Sequence, residues 1–164
     1  MAISELHASH IRKVEVSFCL IGPDLDPEVV TTRLGLTPDQ AERRGDERRH
    51  QRSGAVLGLF HEGLWALGSL PRVDSKDVND HFRWVLGRLL PHKEAVLELA
   101  RGGEVFFNVL WKSTYLYAGT GPLIDAECLA GVAALGGGMG FDIYQVDEPE
   151  AERRAVADHG PDTV

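Results

Sequence analysis

The chain has 164 residues, of which 43% are hydrophobic, and it carries a formal net charge of −8 with a pI near 5.3. A chain of this length fits one domain that buries roughly 70% of the surface its unfolded form exposes. The acidic balance excludes a whole-surface affinity for nucleic acid or for an anionic membrane, and it leaves room only for a local basic patch.

The first predicted elements are a strand and a short helix. Apolar and polar residues alternate from Val14 to Ile21, which is the pattern of a strand with one buried face. Asp26 is a good N-cap residue, Pro27 suits the first helical position, and Gly35 can adopt the left-handed conformation that ends a helix. The sequence therefore predicts a helix over residues 26–34.

The next segment contains a predicted turn, a charged loop and a hairpin. Residues 37–40, Thr-Pro-Asp-Gln, have the capping-box spacing of a brief helical turn. Residues 42–52 are strongly charged and lack apolar periodicity, which indicates an exposed, mobile loop. The short apolar runs 55–60 and 64–70 flank Gly63, so we expect an antiparallel hairpin in which Gly63 supplies a left-handed residue.

The second half of the chain alternates helices with strands. An apolar stripe at helical spacing follows the N-cap residue Asp77, and Pro91 interrupts it, so we expect a kink or a new helix near Pro91. Residues 105–111 are predicted to form a central strand that helices cover on at least one side. Helical spacing over residues 129–135 and an apolar run over 141–146 predict the last helix and the last strand.

Together these elements predict an α+β domain in the order βαββαβαβ. We expect a mostly antiparallel sheet of about five strands with helices packed mainly on one face, related to the split βαβ, ferredoxin-like arrangement. This domain should span residues 13–146, after a flexible N-terminal arm (residues 1–12) and before a disordered acidic tail (residues 147–164).

The composition also bears on location. Cys19 and Cys128 are expected to be reduced and mostly buried, because nothing in the sequence indicates a secretory context. We find neither a signal peptide nor a run of about 18 apolar residues, so we expect a cytoplasmic protein that does not contact a membrane.

Short motifs along the chain occur in one order with compatible gaps. They are Val14 to Leu20, Leu25-Asp26-Pro27, Leu34-Gly35-Leu36-Thr37-Pro38, Arg44-Gly45-Asp46, Gly63-Leu64-Trp65-Ala66-Leu67, His81 to Leu90 followed by Pro91, and Phe141-Asp142-Ile143-Tyr144. In this order they resemble a bacterial family known as domain of unknown function 4279, over roughly residues 13–146. The resemblance implies a small cytosolic α+β domain. It also implies a role in defence or toxin immunity, because some members resemble cargo of variable bacterial gene neighbourhoods, but it carries over no activity, substrate or catalytic residue.

Positive charge is concentrated in the segment 42–52. Its candidate binding residues are Arg43, Arg44, Arg48 and Arg49. Guanidinium groups suit carboxylate or phosphate, so this segment is the first candidate surface for an anion or an acidic partner. The plain alternative is a solvated loop whose interleaved carboxylates compensate the arginines.

Aromatic and carboxylate side chains supply further candidates. Trp84 lies off the apolar stripe of its helix, so it is either a contact residue or part of the packing, whereas Trp65 is expected in the core. Asp142 and Tyr144 share one face of the last strand and could present a carboxylate and a phenol together. Alternation toward solvent explains that pair equally well.

Two kinds of cofactor site have only weak signals. Gly119-Thr120-Gly121 lies between a strand and a helix, where backbone amides can hold phosphate, but it lacks the third glycine of a dinucleotide fingerprint and the lysine of a P-loop. The seven histidines show no ligand spacing with cysteines or carboxylates. We therefore expect neither a metal nor another cofactor.

The leading hypothesis is a non-enzymatic cytosolic binding domain that recognises a protein partner, with bacterial defence or toxin immunity as its sharpest form. The mechanism would be occlusion through residues 42–52 and an aromatic anchor such as Trp84. A toxin-like gene immediately upstream would favour immunity. An open sheet edge could also pair across a homodimer.

Two alternatives belong to other classes. The first is a small-molecule or anion sensor that uses a cleft beside the Gly119-Thr120-Gly121 turn, which a pocket lined by Asp142, Tyr144 and arginines would favour. The second is an enzyme, which would require titratable side chains to converge, for instance Asp142 with His81 or His92.

Overall fold

The computed structural model describes residues 9–50, 52–116 and 121–147, which contain a five-stranded sheet and a separate two-stranded sheet. The elements in chain order are β1 (Ile11–Gly22), α1 (Pro27–Leu34), β2 (Gln40–Glu42), β3 (Glu47–Arg49), β4 (Val56–Leu59), β5 (Gly63–Gly68), α2 (Val78–Leu89), a 3₁₀-helix (Leu90–His92), α3 (Lys93–Leu99), β6 (Glu104–Ser113), α4 (Ala126–Ala134) and β7 (Gly138–Gln145). The large sheet has the order β2-β5-β1-β6-β7, and β6–β7 is its one parallel pair. The predicted α+β class with a mostly antiparallel five-stranded sheet is confirmed.

The large sheet contains one split βαβ unit. β5 and β6 lie on either side of β1 and are both antiparallel to it, so they run parallel to each other. The chain connects them through α2 and α3. The second crossover, from β6 through α4 to β7, is not split, because β6 and β7 are direct neighbours. The expected relation to the ferredoxin-like arrangement is therefore limited to the first unit.

The core lies between one face of the large sheet and the helices. Burial alternates along β6, where Phe107 and Val109 are fully buried while Phe106 and Asn108 are partly exposed. The helices fill this core with the side chains of Val30, Leu34, Val78, Phe82, Val85, Leu86, Leu89, Val96, Val132 and Leu135. The helices thus cover the face of β6 that carries Phe107, as the sequence predicts for this strand.

The predicted ends of α1, the predicted start of α2 and the predicted break at Pro91 are confirmed, whereas the last helix begins earlier than predicted, at Ala126. The Asp26 side chain accepts a hydrogen bond from a backbone N–H in the first turn of α1, and Gly35 ends that helix with φ 63°. Asp77 caps α2 in the same way. At Pro91 the α-helix gives way to the 3₁₀-helix, because proline has no N–H to continue the ladder.

The predicted helical turn at residues 37–40 is wrong. Residues 37–39 form no helical turn, and Gln40 begins the edge strand β2. The Asp39 carboxylate accepts hydrogen bonds from the backbone N–H of Gly68 and from Nη1 of Arg72, both at 2.8 Å. These tertiary hydrogen bonds outweigh the local capping preference.

The predicted hairpin is wrong. The predicted loop over residues 42–52 is largely exposed where the structure describes it, as expected, but Glu47–Arg49 within it form strand β3. β3 pairs with β4 in a separate two-stranded sheet, while β5 pairs with β1 and β2. Gly63 does not have a positive φ, so it supplies no left-handed turn residue. A Cβ atom on Gly63 would lie 2.1 Å from the carbonyl oxygen of Leu25. The glycine is required because the backbone between β1 and α1 passes directly against it.

Some predictions fall largely outside the described residues. Most of the arm (1–12) and nearly all of the tail (147–164) lie outside them, as do Gly119 and Thr120 of the predicted phosphate turn. β1 begins earlier than predicted, with the buried side chain of Ile11. Within the described ranges, no helix has both the length and the apolar character that a membrane crossing needs.

Candidate functional site

The first candidate surface is the β3–β4 hairpin, defined as residues 43–60. Near its base, the N–H of Phe60 donates to the carbonyl of Asp46 at 2.9 Å, and at its tip the N–H of His50 donates to the carbonyl of Ala55 at 2.8 Å. A two-stranded sheet standing alone is only marginally stable in water. The hairpin therefore depends on its attachment to the rest of the domain.

Arg43 provides part of this attachment. Its Nη2 lies 2.8 Å from a carboxylate oxygen of Glu28 and 3.3 Å from one of Asp26, at the N-terminal end of α1. The charges of Asp26 and Glu28 raise the pKa of Arg43. Arg43 thus braces the hairpin against α1 and is not available as an unpaired cation for a ligand.

The other predicted arginines differ in what they contact. Arg49 is paired with the carboxylate of Glu47 and donates to the carbonyl of Gly54 at 3.0 Å. Arg44 and Arg48 are exposed, and within the described ranges neither forms an ion pair. Of the four predicted arginines, these two are the ones the structure leaves for an external anion.

The hairpin also exposes apolar side chains that sequence reasoning assigned to a strand paired with residues 64–70. Val56, Leu57 and Leu59 have 52%, 52% and 53% of their surface exposed. All four residues of β4 are exposed, so no other layer of the structure covers either face of this strand within the described residues. An apolar strand next to unpaired arginines is the composition of a protein contact surface.

The second candidate surface is a cleft of about 400 Å³ around Trp84, called the Trp84 cleft below. Its walls are Trp84 and Arg88 of α2, residues 35–37 after α1, Leu67 of β5, and Arg72. The guanidinium carbons of Arg72 and Arg88 each lie 5.3 Å from the centroid of the Trp84 ring. This is the distance range of cation–π contacts.

Arg72 is held in the cleft by hydrogen bonds. Its Nη1 donates to Asp39 at 2.8 Å and to the carbonyl of Gly68 at 3.0 Å. The hydrogen bond to Asp39 raises the pKa of Arg72. Burial alone would raise the pKa of Asp39, but the hydrogen bonds from Arg72 and Gly68 together with the Arg72 charge lower it. Asp39 therefore stays ionised beside Arg72.

The two candidate surfaces do not merge. Arg43 of the hairpin contacts the first turn of α1, whereas the Trp84 cleft includes Gly35, just past the last turn. A helix of eight residues is about 12 Å long, so the two surfaces lie at opposite ends of α1.

The two tryptophans named in the sequence analysis differ in burial. Trp84 is partly buried in its own cleft. Trp65 is fully buried and its Nε1 donates to a threonine hydroxyl, so the core prediction for Trp65 is confirmed.

Asp142 and Tyr144 share a face of β7, as predicted, and each contacts a side chain of β6. Asn108 donates to Asp142 at 2.8 Å, and Nζ of Lys112 lies 5.6 Å from the ring centroid of Tyr144. Register places both on the face of the sheet away from the helices. They form part of a sheet surface beside the partly exposed side chains of β6.

The titratable side chains that an enzyme would require, Asp142 with His81 or His92, do not lie together. His81 is fully buried on the helix side of the sheet, where it is hydrogen bonded to the hydroxyl of Ser69 at 2.8 Å and to the carbonyl of Ser75 at 2.9 Å. Asp142 lies on the opposite face, and His92 ends the 3₁₀-helix and is the N-cap residue of α3 in the helix layer. His81 is therefore a satisfied core residue.

The cysteines are free and buried, as predicted. Burial raises the pKa of Cys19 to about 11, and burial together with the nearby Asp125 raises the pKa of Cys128 to about 12. An activated thiol requires a lowered pKa, so neither has that property. In the described part of the chain, no group of three or more histidine, cysteine or acidic residues could hold a metal ion.

Sequence reasoning missed two of the cleft residues. Arg88 lies four positions after Trp84 on one helix, and this i, i+4 spacing was a usable signal. Arg72 follows β5 and reaches Trp84 only because of the tertiary fold, so no local pattern could have found it.

Comparison with known proteins yields one family. A family model described as Domain of unknown function (DUF4279) matches residues 12–146. No curated protein and no solved structure matches the chain.

Proposed function

The chain belongs to the family described as Domain of unknown function (DUF4279), and this description names no activity. We therefore propose a function from the surface of the domain. We propose that the chain is a non-enzymatic binding domain that recognises a protein partner through the β3–β4 hairpin. The observation that carries this proposal is the exposure of Val56, Leu57 and Leu59 on a strand paired only with the arginine-bearing β3.

The charge of the hairpin defines the kind of partner. Residues 43–60 contain five arginines and two carboxylates, in a chain of net charge −8. A locally basic surface on an acidic protein steers an acidic partner toward that surface and away from the rest of the domain. We therefore propose a partner with an acidic rim around an apolar groove.

The apolar side chains would supply most of the affinity. Completing the burial of a half-exposed valine or leucine contributes about 1 kcal/mol, so the three together would contribute about 3 kcal/mol. Exposed ion pairs contribute less, so Arg44 and Arg48 would act mainly on the association rate and on its salt dependence.

The most specific version of this proposal is a role in bacterial defence or toxin immunity. In that role the hairpin would cover a functional surface of the partner. The implied bacterial context and the cytoplasmic location stay predictions from the sequence.

The proposal is tested by affinity capture from the native host's lysate with three matched baits. The wild-type chain is compared with a Leu57→Ser, Leu59→Ser variant and with a Leu129→Ser control, because Leu129 is 46% exposed on α4, outside the hairpin. We expect one partner that the wild type and the control retain and the hairpin variant loses, with binding at least about tenfold weaker for the purified pair.

The same capture can contradict the proposal. Equal recovery by all three baits would show that the partner binds elsewhere, and no specific partner with any bait would argue against the binding role. An Arg44→Glu, Arg48→Glu bait then separates the electrostatic contribution to binding from the apolar one. The loss of partner binding by this bait should become smaller at high salt, because salt screens exposed charges.

We also propose that the outer edge of β7 pairs with a second copy of the chain. β7 is the edge strand of the large sheet and exposes Phe141, Ile143 and Tyr144 by about half. An exposed edge of eight residues can add a strand from another chain.

A further inference from the structure

The Trp84 cleft has a charge pattern that the hairpin proposal does not use. Its walls include two guanidinium groups, Arg72 and Arg88, and the carboxylate of Asp39, which does not line the cleft, pairs with Arg72. The carboxylate is bonded to Arg72, whereas Arg88 forms no ion pair or hydrogen bond in the described part of the chain. The cleft therefore keeps one uncompensated positive charge in a chain whose net charge is −8.

The two guanidinium groups contact the same aromatic ring. Each lies 5.3 Å from the same ring centroid, so their carbon atoms are no more than about 11 Å apart. Arg72 is fixed by its bonds to Asp39 and Gly68, and Arg88 is carried by α2. A guanidinium group that is already held in position loses less conformational entropy when it binds an oxyanion.

The shape of the cleft suits a small ligand. Its volume of about 400 Å³ lies within the range of small-molecule sites. Its lining combines the apolar side chains of Leu36 and Leu67 with the two arginines and Thr37.

From this geometry we propose that the Trp84 cleft is a binding site for a small oxyanion, the carboxylate or phosphate of a small molecule, held by Arg88 and Arg72 against the Trp84 ring. The site is separate from the hairpin, so either proposal can fail without the other. A carboxylate and a phosphate each present a pair of oxygen atoms that can accept hydrogen bonds from two parallel N–H groups of a guanidinium.

The three tryptophans make the test specific. Trp65 and Trp111 are 0% and 1% exposed, so an anion in solution reaches only Trp84. The indole N–H signals are followed by ¹H–¹⁵N NMR of the full chain, and a Trp84→Phe variant assigns the Trp84 signal. Inorganic phosphate and citrate are titrated separately, each against sodium chloride at equal ionic strength.

Two variants accompany the titration. Arg88→Gln removes the uncompensated cation, and Arg101→Gln removes an exposed arginine outside the cleft as a matched control. Arg88→Lys keeps the positive charge but lacks the planar guanidinium group. It replaces Arg88→Gln if that variant disturbs the fold, and the remaining NMR signals show whether it does.

We expect a saturable shift of the Trp84 signal with phosphate, with citrate or with both, at least about tenfold weaker in Arg88→Gln and unchanged in Arg101→Gln. A response to only one anion identifies the phosphate or the carboxylate as the ligand group. No shift beyond that caused by chloride, or an equal shift in Arg88→Gln, would overturn the proposal.

Discussion

Single glycines in this domain have different physical roles that composition does not distinguish. Gly63 lies where a Cβ atom would come within 2.1 Å of the Leu25 carbonyl oxygen. Gly87 lies in α2 with nothing within 4 Å of its Cβ position. The first glycine is required by contact between backbones, whereas the second only weakens the helix that contains it.

The pair predicts opposite effects of one substitution. Gly63→Ala should lower the free energy of unfolding by at least about 3 kcal/mol, because a backbone oxygen cannot move as a side chain can. Gly87→Ala should raise it by up to about 1 kcal/mol, because alanine favours the helix. Urea unfolding of both variants measures this, and a Gly63→Ala loss below about 1 kcal/mol would contradict the close approach.

At the scale of elements, a buried hydrogen-bond network joins a strand to a helix. The N–H of Val16 in β1 donates to the Ser69 hydroxyl at 2.9 Å, and that hydroxyl is bonded to Nδ1 of His81 in α2. Nε2 of His81 carries a hydrogen, because Nε2 contacts the carbonyl oxygen of Ser75, and a carbonyl oxygen can only accept a hydrogen bond. The network fixes the start of α2 against the central strand.

Removing the shared hydroxyl should therefore be costly. In Ser69→Ala, the Val16 N–H and Nδ1 of His81 both lose a partner inside the core, so we expect a loss of about 2–4 kcal/mol in the free energy of unfolding. Ser53→Ala, in the exposed tip of the hairpin, is the matched control and should change it by less than about 0.5 kcal/mol. Similar values for the two variants would rule out this role of Ser69.

At the scale of the whole molecule, the two edges of the large sheet differ. One edge is β2, which has three residues, and the other is β7, which has eight and exposes apolar side chains. A short edge strand is a common protection against edge pairing, and β7 lacks that protection. The asymmetry gives the proposed homodimer a single edge through which to form.

Light scattering after size-exclusion chromatography tests this self-association. At high concentration we expect a mass of twice the 18.0 kDa of one chain for the wild type, and the monomer mass for Ile143→Lys, which places a charge on the edge. Leu129→Lys is the control, because Leu129 and Ile143 are both 46% exposed and Leu129 lies on a helix. A monomer at every concentration, or a dimer that Ile143→Lys leaves intact, would contradict pairing through β7.

The sequence by itself determined the local features. Asp26 and Gly35 mark the ends of α1, Pro91 interrupts the helical run, and the alternation in β1 identifies a strand, because caps, proline and periodicity act over a few residues. The fold class followed from the order of these elements. Among the site residues, the position of Trp84 off the apolar stripe and the arginines of the hairpin were readable in the same way.

Only the tertiary structure decided which elements pair and which side chains meet. The run 55–60 has the apolar pattern of a sheet strand, yet it pairs with β3, because β5 is already flanked by β1 and β2. Asp39 pairs with Arg72 where a helical turn was predicted, and Arg72 reaches Trp84 from a separate segment. Strand partners and site contacts depend on long-range packing and backbone hydrogen bonding, which no local pattern encodes.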